Sequence, residues 1–135
     1  MGYLLDTNHL IHLSNDVIQV VSRLDTVSDQ EAVVTSILVV AELMYGAECS
    51  ARREENMRII DQQIAVLDEV IPVSDAIARR FAGFKAQLRA RGRTKQDFDL
   101  IIAATALESD SILVTDDGAL LAGDIPDLVV ENWCR

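Results

Sequence analysis

An α/β fold, with a mainly parallel central sheet covered by helices on both faces, is what this chain predicts. Short apolar runs of 3–6 residues alternate with longer helical patterns along all 135 residues, the order expected of consecutive β–α units. Half of the residues are hydrophobic and only 4% are aromatic, so the chain can bury a real core, built from Leu, Ile, Val and Ala. No internal repeat, low-complexity tract or Pro/Ser-rich linker interrupts the pattern, and residues 1–135 read as one domain.

The first strand is the apolar run 3–5, and helices follow across 9–25. The second strand is Ala32-Val33-Val34-Thr35. Ser36 then sits as an N-cap for a helix reaching to about Glu48. Residues 51–69 form a charged amphipathic helix, with Met57, Ile60, Ile64 and Leu67 at helical spacing. Val70-Ile71-Pro72-Val73 is a short strand whose proline marks it as a sheet edge. Ser74 caps a helix over 75–91 that Gly92 ends, and another helix covers 98–109. Residues 111–115 read as a buried strand and residues 128–131 as the last.

Several function classes are excluded early. No apolar run approaches the roughly 18 residues of a membrane span. The N-terminus carries no basic region before an apolar stretch, so no secretory signal is expected. Met1-Gly2 fails as a myristoylation signal because Asp6 stands where Ser or Thr is needed. Cys49 and Cys134 lack metal-ligand spacing and read as free thiols in a reducing cytoplasm. His9 and His12 are spaced to bind a metal, but with no matching Cys or His elsewhere they read as packing or surface residues. No P-loop and no GxGxxG is present. The net charge of −10 opposes a nucleic-acid partner, yet seven of the twelve basic residues lie between Arg79 and Lys95 with no acid among them. Such a segment is either a solvated helix face or a phosphate-binding patch.

The acids are placed more tellingly. In a parallel sheet, ligands bind outside the carboxyl ends of the strands, and right-handed crossovers bring the starts of the following helices to that edge. Asp6 ends the first strand, Asp116 and Asp117 end the strand "SILVT", and Asp99 opens the helix "DFDLIIAATAL". Glu42 is an acid flanked by Val39, Val40, Ala41, Leu43 and Met44, surroundings that demand a partner for its charge. Crowded carboxylates repel one another, and a divalent cation with oxygen preference, Mg²⁺ or Mn²⁺, relieves the repulsion. Thr7, Asn8 and Thr115 stand beside them to orient carboxylates or bound water. Each acid alone has a plainer reading: Asp97 and Asp99 as helix-start residues, Asp116-Asp117-Gly118 as a turn, Asp6 as a cap.

Five stretches, "YLLDTN", "TSILVVAELMYGAE", "DLIIAATAL", "ILVTDD" and "VVENW", together make the chain resemble the PIN-domain ribonucleases, most closely the VapC-type toxins of bacterial toxin–antitoxin pairs. The resemblance runs from end to end, in family order and spacing. It implies a PIN-like α/β/α sandwich and a Mg²⁺- or Mn²⁺-dependent endoribonuclease that cleaves cellular RNA. It also implies a homodimer, and a cognate antitoxin laid along the active-site groove. The family's acids map onto Asp6, Glu42, Asp99 and Asp117; Asp116 falls in a slot usually basic or polar and is kept as an auxiliary ligand. Arg89, Arg91, Arg93 and Lys95 are the expected contacts to the RNA backbone. One departure is the segment "GALLAGDIPDL" after Asp117, where many relatives carry an aromatic residue.

Three rival readings remain at this stage. A PIN nuclease of RNA processing has no antitoxin. A non-catalytic binding module keeps the fold without the chemistry. A Mg²⁺-dependent phosphatase with Asp6 as nucleophile generally wants a second Asp two residues on, where this chain has Asn8.

Overall fold

The computed structural model describes residues 2–134. The chain opens with β1 (Gly2–Leu5), all four residues buried, followed by α1 (Thr7–Ser14) and α2 (Ile18–Asp25). Next come β2 (Val33–Ser36), α3 (Ile37–Glu48) and α4 (Arg53–Val66). Then follow β3 (Glu69–Ile71), α5 (Asp75–Ala90) and α6 (Asp97–Glu108). The last elements are β4 (Ser111–Val114), the short α7 (Gly118–Leu121) and β5 (Val130–Glu131).

The five strands form one sheet in the order β3-β2-β1-β4-β5, and every pairing in it is parallel. From β1 the chain winds outward through β2 to β3, and then returns to the other side of β1 for β4 and β5. The order reverses between β1 and β4, so their carboxyl ends flank the switch point, where the connections leave toward opposite faces and open a crevice for ligands. β3 is an edge strand, as its proline predicts, but it runs over Glu69–Ile71, so Pro72 and Val73 of the expected strand fall past its end.

The apolar pattern explains the layers. Leu4, Leu5, Leu113 and Val114 of the two central strands are fully buried, and Leu10, Val20, Val39, Leu88, Leu100 and Ile102 pack from the helices. Helix α6 shows no polar side over its middle; Ile102, Ala103, Ala104, Thr105 and Ala106 are all buried, because it lies between the sheet and α5. The Thr105 hydroxyl donates to the Ile101 carbonyl one turn back, at 2.7 Å, which satisfies it inside the helix. The helices expected over 9–25 are α1 and α2, separated where Asp16 takes φ 54°. The expected helix 51–69 is shorter at both ends, and the four-residue α7 was not foreseen.

Candidate active site

The site forms where β1, β4, α3 and α6 bring their ends together. Asp6 leaves β1 and caps α1, its side chain accepting from the His9 N–H at 3.1 Å. Its capping role and its place at the strand end are therefore the same feature: the carboxylate is anchored by a helix start while it faces outward. Thr115, one residue beyond β4, donates its hydroxyl to Asp6 Oδ2, and the same hydroxyl accepts the Asp117 N–H at 3.0 Å. One buried threonine thus couples the two strand ends. Thr35 does similar work on the other side, donating to the Leu5 carbonyl at 2.7 Å.

Asp6, Glu42, Asp99, Asp116 and Asp117 all line one cleft of about 850 Å³, together with Thr7 and Asn8. Leu38, Tyr45, Phe98 and Leu120 supply its apolar wall. Thr7 donates to Glu42 Oε2 at 2.8 Å, and the Asn8 amide donates to Asp116 Oδ1 at 3.1 Å. Asp117 caps α7 by accepting the Ala119 N–H at 2.9 Å. Asp99 stands in the first turn of α6, whose N-cap is Gln96, so neither Asp97 nor Asp99 serves as that cap. Asp97 instead pairs with Lys85 at 2.8 Å, away from the cleft acids.

The electrostatics show the convergence directly. The Asp99 carboxyl is pushed up to about 6, first by burial, then by the charge of Asp117 and a hydrogen bond with it, then by Glu42 and Asp6. Asp99 therefore feels each of the other three predicted acids. Asp116 is held below the usual carboxylate range despite its partial burial, because Asn8 and His12 hydrogen-bond to it.

The expectation for Glu42 needs correcting. Its neighbours in sequence are apolar, but its side chain is exposed at the cleft and bonded to Thr7, not sunk among them. On a helix, adjacent residues point in different directions, so an apolar stretch does not by itself bury the acid within it.

His9 is the residue whose role the sequence hid. It is fully buried and receives the Trp133 N–H on Nε2 at 3.2 Å. Its proton must therefore sit on Nδ1, which lies 3.2 Å from Asp6 Oδ1 and donates to it. Only the fold brings Trp133, 124 residues away, to His9; the one local hint was the three-residue step from Asp6.

The basic segment is less free than it reads. Arg79 pairs with Asp75, Arg80 with Glu108, and Lys85 with Asp97. Arg93 and Lys95 both bind the Asp124 carboxylate, and Lys95, with 6% of its side chain exposed, also donates to the Ala119 carbonyl. These two contacts clamp the segment after α7 onto the start of α6. Arg91 spends one N–H on the Asp124 carbonyl at 3.3 Å. Arg89 is exposed and has no partner among the described residues.

Mg²⁺ and Mn²⁺ suit this cleft by donor type. Its acids offer only oxygen ligands, and the space between them accommodates the waters that Mg²⁺ usually keeps. The tightest ligand groupings among the described residues lie to one side: Asp6, His9 and Asp116, and His12, Asp116 and Cys134, each with ligating atoms within 4.8 Å.

Comparison with known proteins agrees with the geometry. The family described as PIN domain matches residues 3–124. The ribonuclease VapC2 of Haemophilus influenzae is 32% identical over 98% of this chain and 98% of its own. The structure of VapBC-1 from nontypeable Haemophilus influenzae superposes with a TM-score of 0.90 at 27% identity, covering 100% of both chains. A toxin–antitoxin complex from Klebsiella pneumoniae gives 0.68 at 26% identity, over 95% of this chain and 96% of that one.

Proposed function

The chain belongs to the PIN domain family, and from that premise we propose that it is a metal-dependent endoribonuclease, the toxin of a toxin–antitoxin pair. The observation that carries the reading is the coupling of Asp99 to Asp117, Glu42 and Asp6 across one cleft at the sheet's switch point. A fold with no use for a cation gains nothing from mutually repelling carboxylates.

Asp6, Glu42, Asp99 and Asp117 would hold Mg²⁺ or Mn²⁺, with Asp116 as an auxiliary ligand. When bound, the cation stabilises charge on the scissile phosphate and lowers the pKa of an attacking water. The chain's own residues do the positioning. His9 and Thr115 fix both oxygens of Asp6, Thr7 aims Glu42, and Asn8 aims Asp116. Phe98 and Tyr45 on the cleft wall offer aromatic faces to unstacked bases of single-stranded RNA. Of Arg89, Arg91, Arg93 and Lys95, the first two are best disposed toward backbone phosphates, since the other two are engaged with Asp124. The antitoxin and the second copy of a homodimer have apolar surface to cover: Ile11 and Ile37 are exposed on α1 and α3. No helix among the described residues is long and apolar enough to cross a membrane, and we assign the chain to the cytoplasm with its RNA substrates.

The test incubates purified, partner-free protein with a small-RNA pool and Mn²⁺ or Mg²⁺. Discrete cleavage is expected, abolished by EDTA and reduced by at least about a hundredfold in Asp6→Asn, which keeps the side chain's size but removes its charge. Cleavage that survives Asp6→Asn unchanged would refute the assignment of the site.

A further inference from the structure

We propose that His12, Asp116 and Cys134 form a second cation site, selective for Zn²⁺ or a similar borderline ion, adjoining the four-carboxylate centre, with Asp116 serving this second ion in place of the auxiliary role in the first. The three ligands come from α1, the turn after β4 and the segment after β5, and the fold gathers their ligating atoms within 4.8 Å of one another. His12 Nε2 already lies 3.2 Å from Asp116 Oδ2. In a tetrahedral zinc site, neighbouring ligands stand about 3.5 Å apart, so small side-chain adjustments close the trio around an ion.

The supporting contacts point the same way. Asn8 donates to Asp116 Oδ1 and leaves Oδ2 turned to His12, the arrangement in which an outer partner orients a ligating carboxylate. Cys134 is held through its N–H, which donates to Asn132 Oδ1 at 2.9 Å, next to the buried Trp133. All three ligands are partly exposed, so an ion can enter. His9 is close, with Nε2 3.8 Å from Cys134 Sγ, but it is no ligand: that nitrogen receives the Trp133 N–H and Nδ1 serves Asp6.

Donor chemistry decides the ion. One imidazole nitrogen, one carboxylate oxygen and one sulfur favour Zn²⁺ over Mg²⁺, which binds thiolates poorly. Cys134 binds as the thiolate, its proton leaving to solvent, and the carboxylate and thiolate charges together offset a divalent ion. Three protein ligands leave a fourth position to water. Asp116 lies on the boundary with the cleft, so an ion here sets the charge beside the four acids.

The experiment titrates Co²⁺, as a spectroscopic probe for Zn²⁺, into the reduced full chain with the cleft saturated by Mg²⁺. No RNA is involved, so the outcome is independent of the nuclease reading. One equivalent should bind with the absorption of a four-coordinate ion and a thiolate charge-transfer band, and Zn²⁺ should displace it. The band should vanish in Cys134→Ser and persist in Cys49→Ser. His12→Ala, at a partly exposed position safe for folding, should weaken binding by about tenfold or more. A six-coordinate spectrum without the thiolate band would overturn the proposal, as would a band that survives Cys134→Ser or follows Cys49.

Discussion

Asp99 carries the cost of gathering the acids, and its protonation makes that cost measurable. In the folded chain its carboxyl lies at about 6, above the ordinary 3.8. Between those values the native state holds a proton that the unfolded chain has lost, so stability from this group is greatest at low pH. It declines as pH rises through the window, and above about 6 the charged cluster is left unrelieved. A cation reverses the balance by favouring the charged form. Added Mn²⁺ or Mg²⁺ should therefore raise the unfolding temperature at pH 7.5 and have little effect at pH 5. Asp99→Asn should raise the metal-free unfolding temperature at pH 7.5 by about 3 °C, a modest value because water screens a half-exposed carboxyl. It should also blunt the metal response. Thermal melts with and without EDTA check both; an equal metal effect at the two pH values would count against the coupling. The same scale shows what the sequence can hide. The placement of Asp6, Asp99 and Asp117 at the cleft was legible because strand ends and helix starts are local signals. His9 was not, because its partners Asp6 and Trp133 become neighbours only in three dimensions.

The elements were legible where local chemistry fixes them. Ser36 caps α3 and Ser74 caps α5 through their side chains, as their positions before apolar runs imply. Pro72 marked the edge strand, and the apolar runs located β1 and β4, whose burial forces a central place in the sheet. The short α7 was not legible. Four residues carry no period, and α7 is held from outside, by Lys95 on the Ala119 carbonyl and by Asp124 gripped between Arg93 and Lys95. The strand β1 makes the sharpest element-scale prediction. A Cβ on Gly2 would stand 2.5 Å from the Ala32 carbonyl oxygen, and backbone cannot yield as a flexible side chain would. Ala32 also accepts the Tyr3 N–H at 2.8 Å, so the clash lies on the β1–β2 seam. Gly2→Ala should cost about 1–3 kcal/mol, read as a lower unfolding temperature and a lower denaturant midpoint with an unchanged slope.

At the scale of the whole molecule, for a chain of net charge −10 to act on RNA as proposed, it must confine its attraction to one region. The basic segment looked like that region because no acid lies within it, yet Asp75 pairs with it from one turn earlier in α5, and Asp97, Glu108 and Asp124 fold back onto it. Most of its charge is structural, and a run read along the chain cannot register partners that arrive from other elements. The phosphate-binding capacity that remains is small and assignable. Each phosphate neutralised on a single strand contributes about −0.7 to the slope of log affinity against log salt, so a total slope near −1 to −2 is expected, far below that of a strongly basic nuclease. Arg89, with no competing acid among the described residues, should account for about 0.7 of it. Arg89→Gln should weaken RNA binding several-fold at low salt, flatten the slope by that amount and leave the unfolding temperature unchanged. Arg93→Gln should do the reverse, lowering the unfolding temperature through the lost Asp124 clamp while changing the slope little. Binding of a non-cleavable RNA by the cleavage-deficient Asp6→Asn protein, across a salt series, separates the two residues. If Arg93→Gln rather than Arg89→Gln flattened the slope, the ion pair with Asp124 would be one that RNA displaces, and the clamp would belong to the binding surface.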